Sequence, residues 1–231
     1  MPDFFLNSIF YKASSNTEDA INDQIEVLHG LVRDLQLINP NFLNWYVNNA
    51  KDSTPPLDLL FPSEDAFEYL KKQRIKDTFK AFLLWNGKVD NNSYASIALS
   101  IVNISLSLNK NIPQEDLVKL FEIVLKYLKC KYLYLANNFF MSSRVFEHRQ
   151  PLSSISYVSK SIEIDEIPHL YQKIDINNEL NQGTILIFSQ DVYEESENMK
   201  LVLQENSVAL VDLDLIPEIE LDPDFFSEVN F

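Results

Sequence analysis

The sequence predicts a single α+β domain with a mostly antiparallel central sheet and flanking helices. Segments typical of strands and helices are interspersed, but they do not alternate strictly as in parallel α/β folds. Asn86-Gly87, a dipeptide typical of tight turns, separates two β-prone segments at 79–86 and 94–108, and pairing of 79–86 with 94–102 predicts a central antiparallel hairpin. With 231 residues, 46% of them hydrophobic, the chain is long enough to bury a substantial core.

The N-terminal part of the chain contains two predicted helices between short β-prone segments. Residues 4–13 predict the first strand. An N-cap sequence at 16–19, followed by apolar residues at helical spacing, predicts a helix that ends near residue 36. The aromatic segment 42–47 is predicted to form a short strand or turn, and residues 62–75 a second helix.

The C-terminal part is predicted to contain further strands and two further helices. The helices are predicted at 113–129 and 191–203, where apolar residues recur at helical spacing. Strands are predicted at 132–136, 155–158 and 184–188, and a short strand or extended segment at 208–211. We assign residues 1–211 to the folded domain and residues 212–231 to an acidic tail interrupted by proline.

Acidic residues are concentrated towards both ends of the chain. Residues 1–70 and 161–231 together contain 28 of the 34 acidic residues and only 5 of the 19 basic residues. The central residues 71–160 contain 14 basic and 6 acidic residues. A net charge of −15 argues against nucleic-acid binding, which requires clustered Lys and Arg, and favours rapid association with a basic protein. The alternative is that the acidity serves only to keep the protein in solution.

The composition also excludes several classes of site. The single cysteine, Cys130, excludes an internal disulfide and is interpreted as a small core residue. The three histidines, His29, His148 and His169, are not at metal-ligand spacing, so we expect no metal and no cofactor. Only three glycines occur, and no Gly-rich phosphate loop is present. The absence of a signal peptide and of a long apolar run predicts a cytoplasmic protein that does not insert into membranes.

Clusters of carboxylates leave an enzymatic alternative open. They occur at 163–166, 194–197 and 212–214. Paired carboxylates can act in acid–base chemistry or hold a metal ion, so the alternative is a metal-assisted hydrolase that uses these acids. In acid-rich segments such pairs are also expected by chance. The basic run at 71–76 is interpreted as surface charge at a helix end and not as an RNA-binding face.

The segment that contains Trp85-Asn86-Gly87 resembles the tryptophan-asparagine-glycine signature of the immunity protein 52 family of bacterial polymorphic toxin systems. The order of the surrounding elements is also similar to this family. It includes Trp45-Tyr46 and a helix with Ala66 upstream, and Gly183 before a strand downstream. The resemblance covers about residues 4–211. The chain departs from the family pattern at Ile155-Ser156, where a Gly-Trp pair is expected.

The resemblance implies an inhibitor and not an enzyme. Members of this family neutralise toxins, commonly nucleases of the restriction-endonuclease fold, by binding to them. We therefore expect stoichiometric, partly electrostatic binding of a cognate basic nuclease toxin, and the sequence leaves a homodimer open. Exposed acids are the expected contacts: Asp191, Glu194, Glu195, Glu197, Asp212 and Asp214. Trp85 is expected in the core, with Asn86 and Gly87 turning the chain. A non-inhibitory acidic adaptor is a further alternative.

Overall fold

The computed structural model describes residues 3–15, 17–47, 59–76, 81–90 and 92–219. Within these ranges, ten strands form one antiparallel sheet, accompanied by five α-helices, which confirms the predicted α+β fold. The strands are β1 (Phe4–Phe10), β2 (Trp45–Val47), β3 (Leu60–Phe61), β4 (Ala81–Trp85), β5 (Ser96–Ser100), β6 (Ile104–Leu108), β7 (Cys130–Ala136), β8 (Ile155–Val158), β9 (Gln172–Asn177) and β10 (Gln182–Ile187). The helices are α1 (Glu18–Leu35), α2 (Glu64–Lys76), α3 (Gln114–Tyr127), α4 (Asn138–Ser142) and α5 (Glu197–Asp212).

The strand order across the sheet is β3-β2-β4-β5-β6-β1-β7-β8-β10-β9. The first strand of the chain lies near the middle, where Leu6 is opposite Leu106 of β6 and Leu135 of β7. The predicted hairpin is confirmed, because β4 pairs with β5 and places Ala81 opposite Ser100.

One face of the sheet is apolar from β4 to β8. The strand registers place Leu84, Ile97, Leu106 and Leu6 opposite one another, and Leu135, Leu133 and Tyr157 continue this face on β7 and β8. All are buried. Helices pack against it. The guanidinium of Arg74 in α2 lies 5.0 Å from the ring centroid of Phe82, and Phe61 of β3 contacts His29 of α1 and Phe67 of α2. The helices form this layer because each carries apolar residues at helical spacing, which pack against the sheet.

In the described part of the chain, segments cover the opposite face on the β7, β8 and β10 side alone. There, the Tyr132 hydroxyl donates a hydrogen bond to the carbonyl of Pro151 at 3.0 Å. The Thr184 hydroxyl donates to the carbonyl of Lys160 at 3.1 Å. These contacts hold the segments before and after β8 over the sheet. Strands β7, β8 and β10 are therefore buried on both faces for most of their length.

The same face is uncharged and partly exposed on the β4, β5, β6 and β1 side, and we refer to this region as the open face. Its side chains include Asn7, Leu83, Ser96, Ala98, Ser100, Ser105 and Ser107, which are partly exposed, and Phe5, which lies opposite Ser107 and is 41% exposed. Cross-strand hydrogen bonds connect some of them: Ser96 to Ser107 at 2.9 Å, and Ser105 to Asn7 at 2.7 Å. The alternation of buried and polar residues in these strands reflects cover on one face alone.

The prediction of one strand over 94–108 is wrong. Strands β5 and β6 form a hairpin with a turn at 101–103, and the Ser100 hydroxyl accepts a hydrogen bond from the backbone N–H of Asn103 at 3.0 Å. The buried positions change from odd-numbered residues in β5 to even-numbered residues in β6. This change of phase at the turn explains why no single period fits the segment.

The prediction of a helix over 191–203 is wrong at both ends. Helix α5 begins at Glu197, because the hydroxyl of Ser196 accepts a hydrogen bond from the backbone N–H of Met199 at 3.0 Å and caps the helix. Before it, the Asp191 carboxylate accepts from the backbone N–H of Tyr193 at 2.9 Å, which favours a local turn over a helix.

The strand predicted at 208–211 is also wrong, because these residues belong to α5. Leu203, Ser207 and Leu210 are buried at helical spacing, so tertiary packing overrides the β-propensity of the valines. The predicted tail begins at residue 212, but Asp212 is the last residue of α5. Residues 213–219 lie beside 148–150, where the N–H of Gln150 donates to the carbonyl of Pro217 at 2.9 Å. Residues 220–231 lie outside the described residues.

Candidate functional site

The Trp-Asn-Gly segment forms the end of β4 and the loop that follows it. Trp85 is 5% exposed and pairs with Tyr46 of β2. The buried Asn86 side chain donates hydrogen bonds to the carbonyls of Asn41 at 3.0 Å and Ser93 at 2.6 Å. Gly87 adopts φ of 74°, a conformation that favours glycine. These residues therefore hold the loop in place and do not form an exposed contact surface.

The six candidate acids lie at the two ends of α5. Asp191, Glu194 and Glu195 precede the helix and Glu197 is its first residue, whereas Asp212 and Asp214 are at its C-terminal end. A helix of 16 residues is about 24 Å long. The structure thus divides the candidates into two groups at opposite ends of one rigid element.

Glu194 and Glu195 are engaged by neighbouring side chains. The Glu194 carboxylate accepts hydrogen bonds from the hydroxyls of Ser196 at 2.5 Å and Ser189 at 2.9 Å, and these bonds lower its pKa. The Glu195 carboxylate lies 3.0 Å from Lys110 Nζ and accepts from Asn137 Nδ2 at 3.0 Å. Both carboxylates therefore stabilise the turn that leads into α5.

Asp214 is paired with a base from another part of the chain. Its carboxylate lies 3.1 Å from Arg149 Nη1, and Arg149 Nη2 lies 3.4 Å from the carboxylate of Glu218. Arg149 also donates a hydrogen bond to the carbonyl of Ile216 at 2.7 Å. These contacts attach the segment after α5 to the loop before β8.

The remaining candidates are Asp191, Glu197 and Asp212. All three are exposed, and none forms an ion pair with another described residue. They are the exposed members of the predicted set that carry no ion pair, although the Asp191 carboxylate also accepts a hydrogen bond from the backbone N–H of Tyr193, and we refer to them as the α5 acids.

A second group of exposed acids, outside the predicted set, lies on α1. Asp19, Asp23 and Glu26 recur at i, i+4 and i+7, so they share one face of the helix. Within the described part of the chain, Asp19 and Asp23 have no ion pair, and Glu26 lies 4.0 Å from His29 Nδ1. The sequence could have indicated this group, because the three acids lie on a different side of the helix from the apolar residues that face the core. We refer to these residues as the α1 acids.

Ion pairs connect the basic centre of the sequence to its acidic ends. They are Lys71 with Glu18 at 2.6 Å, Lys126 with Asp34 at 2.6 Å, Lys110 with Glu195 at 3.0 Å and Arg149 with Asp214 at 3.1 Å. Some basic residues of the central segment are therefore neutralised in the fold by acidic residues from the two ends of the chain. Exposed pairs of this kind contribute little to stability, because solvent screens both charges.

The environments of Cys130 and His169 indicate structural roles for both side chains. Burial raises the pKa of the Cys130 thiol to about 12, which makes it a poor nucleophile. The imidazole of His169 contacts the carboxylate of Glu205, and its backbone is held by Asn206. Among the described residues, no three His, Cys, Asp or Glu side chains are grouped so as to hold a metal ion. No helix in the described ranges is long and apolar enough to cross a membrane.

A comparison with known protein families finds no family model that matches this chain, and a comparison with curated proteins finds no similar sequence. The resemblance to the immunity protein 52 family therefore stays a prediction from the sequence.

Proposed function

We propose that this protein is a cytoplasmic immunity protein that neutralises a cognate basic toxin, a nuclease, by stoichiometric binding. The observation that carries the proposal is the set of exposed carboxylates that internal ion pairs leave unneutralised. Asp191, Glu197 and Asp212 remain at the ends of α5, in a chain of net charge −15.

Electrostatics explains how such a surface would work. A nuclease presents a basic cleft to the phosphates of its substrate, and carboxylates can occupy the same positive potential. Complementary charge steers the two proteins together and raises the association rate, an effect that salt reduces. At physiological ionic strength the screening length is about 8 Å, so contacts at short range decide how long the complex lasts.

The geometry of α5 suits this role. A standard interface covers about 800 Å² of each partner, which is wide enough to reach both ends of the helix. Glu194, Glu195 and Asp214 hold the segments on either side of the helix through their own contacts. The α5 acids are therefore presented from a pre-ordered backbone, which reduces the entropy lost on binding.

The first experiment is co-expression with the product of the adjacent gene, scored by cell survival and by co-purification. The proposal predicts survival together with a complex that contains equal numbers of the two chains. Survival without a complex would contradict binding as the mechanism and would support the enzymatic alternative. Toxicity that persists despite normal expression of both proteins would contradict the immunity function itself.

A further inference from the structure

Strand β9 (Gln172–Asn177) forms one edge of the sheet. Among the described residues it pairs with β10 alone, and the ladder runs without a register shift from Asn177 opposite Gln182 to Gln172 opposite Ile187. An edge strand presents backbone N–H and C=O groups that a further strand can bind. No proline and no bulge interrupts β9, so its outer side is a regular template.

The register identifies the backbone groups that face outwards. The N–H of Asn178 donates to the carbonyl of Asn181 at 3.0 Å, which makes these residues a hydrogen-bonded pair of the hairpin. Hydrogen-bonded pairs alternate along an antiparallel ladder, so Ile174 bonds to β10 while the N–H and C=O of Lys173 and Asp175 point away from it. Within the described part of the chain, no hydrogen bond engages these outward groups.

The side chains along this edge carry opposite charges two residues apart. Lys173 and Asp175 lie on the same face of β9, with Lys173 Nζ 3.5 Å from Asp175 Oδ1. Lys173 Nζ also donates to the carbonyl of Ile162 at 2.9 Å, which fixes the position of the cation, whereas the Asp175 side chain is 60% exposed. Ile174 lies on the other face, partly buried against the core.

We propose that two copies of this chain associate through β9, antiparallel to each other, about a two-fold axis at Ile174. In this register Lys173 of each copy lies opposite Asp175 of the other, and each such pair exchanges both of its outward backbone hydrogen bonds. The two Ile174 side chains meet as a non-hydrogen-bonded pair, the closer of the two pair types. The sheet then runs continuously across both copies.

The charges select this register over its neighbours. An axis at Lys173 would place the two lysines opposite each other, and an axis at Asp175 would do the same for the two aspartates. Like charges directly opposite destabilise an antiparallel pair, whereas opposite charges stabilise it. Of the symmetric registers at the centre of β9, the one at Ile174 is therefore the charge-complementary one. Tyr171, 54% exposed and adjacent to the strand, adds apolar surface to the contact.

The test is sedimentation velocity over a range of concentrations with charge-reversal variants. Asp175→Lys and Lys173→Asp each place like charges opposite each other twice, so each variant alone should dissociate about tenfold more readily than the unmodified chain. An equimolar mixture of the two variants restores both opposite-charge pairs between unlike chains. The mixture should therefore form a heterodimer of near wild-type affinity.

Matched controls separate this interface from general charge effects. Asp23→Lys and Lys12→Asp make the same charge changes at exposed positions away from β9 and should leave association unchanged. Amide hydrogen exchange gives a second readout: the amides of Lys173 and Asp175 should be protected in the dimer and unprotected in Asp175→Lys. The heterodimer itself shows that both variants fold.

Two results would overturn the proposal. One is a chain that stays monomeric at all accessible concentrations, including the case in which the β9 amides become protected only when a different protein is added. The other is a dimer that both single variants retain, because such a dimer would use another surface. The proposal does not depend on toxin binding, so failure of either proposal leaves the other standing.

Discussion

The two halves of the sheet differ in what covers them. In β8 every residue from Ile155 to Val158 is buried, whereas in β5 the residues from Ser96 to Ser100 alternate between partly exposed and buried. The difference arises on the face opposite the apolar one, where the segments around Pro151 and Lys160 lie over β7, β8 and β10. A continuous apolar run thus marks a strand enclosed on both sides, and alternation with serine marks the open face.

Hydroxyl and amide groups distinguish the two halves as well. On the open face they bond across strands in contact with water, as in the pair Ser105 and Asn7. Under the covering segments they are fully buried and bond to backbone groups, as in Asn206, which holds both the N–H and the carbonyl of His169. Loss of a hydrogen bond by one of these residue types should therefore lower the free energy of unfolding much more in the covered half than on the open face.

The largest expected effect comes from a matched pair of leucine substitutions. Leu186→Ser in β10 removes a fully buried side chain and leaves a cavity, and should lower the free energy of unfolding by about 4 kcal/mol. Leu83→Ser in β4 changes a partly exposed residue of the open face and should cost about 1 kcal/mol. Chemical denaturation of both variants measures the difference. Equal losses would contradict the distinction between the two halves.

A smaller effect is expected from a pair of amide-to-acid changes. Asn206→Asp removes the donor to the carbonyl of His169, 2.7 Å away, and sets two oxygens against each other in a buried position. This variant should lose about 2–3 kcal/mol of unfolding free energy. Asn7→Asp keeps the acceptor for the Ser105 hydroxyl and should stay within about 0.5 kcal/mol of the unmodified protein. Thermal denaturation at neutral pH compares the two, and a costly Asn7→Asp would contradict the open-face assignment.

The smallest expected effect concerns the contact between α1 and α3. Burial opposes ionisation of Asp34, but hydrogen bonds from Lys126 Nζ at 2.6 Å and Tyr127 OH at 2.9 Å outweigh it and lower the pKa of Asp34. A carboxylate with a lowered pKa stabilises the fold at neutral pH, and this contribution is lost as the pH falls through its folded-state value.

Asp34→Asn should therefore destabilise the protein by about 1 kcal/mol at pH 7. The difference between variant and unmodified protein should shrink below pH about 4, where the aspartate becomes protonated. Denaturation series at several pH values measure this convergence. A difference that is independent of pH would show that Asp34 stabilises the fold by packing and not by charge.

The strongly periodic elements could be predicted from the sequence. In the helix that ends near residue 36 and in the helix over 113–129, the apolar residues recur at the helical period and at no other. The strand at 155–158 is a short run of mostly apolar residues. Asn86-Gly87 correctly indicated the end of a strand. The start of α5 could not be found in this way, because acids suited to a first helical turn occur both before and after Ser196.

Strand β9 was not predicted, because four of its six residues, Gln-Lys-Ile-Asp-Ile-Asn, are polar and only the two isoleucines favour a strand, which pairing with β10 stabilises. The contacts of the candidate acids could not be predicted from the sequence either. The sequence indicated that Glu195 and Asp191 were exposed acids, but Glu195 is paired with Lys110, 85 residues away along the chain. Contacts between such distant residues depend on the completed fold, so the free acids could be separated from the paired acids only in the structure.

The most direct test of the proposed binding surface compares two triple neutralisations in binding to the proposed toxin partner. Asp191→Asn/Glu197→Gln/Asp212→Asn removes the α5 acids, and Asp19→Asn/Asp23→Asn/Glu26→Gln removes the α1 acids, so both change the net charge equally. We predict that the first variant loses about 100-fold in affinity, mainly through faster dissociation, and the second only a few-fold through slower association. Equal, small losses in both, or unchanged binding at every salt concentration, would contradict neutralisation through the α5 acids.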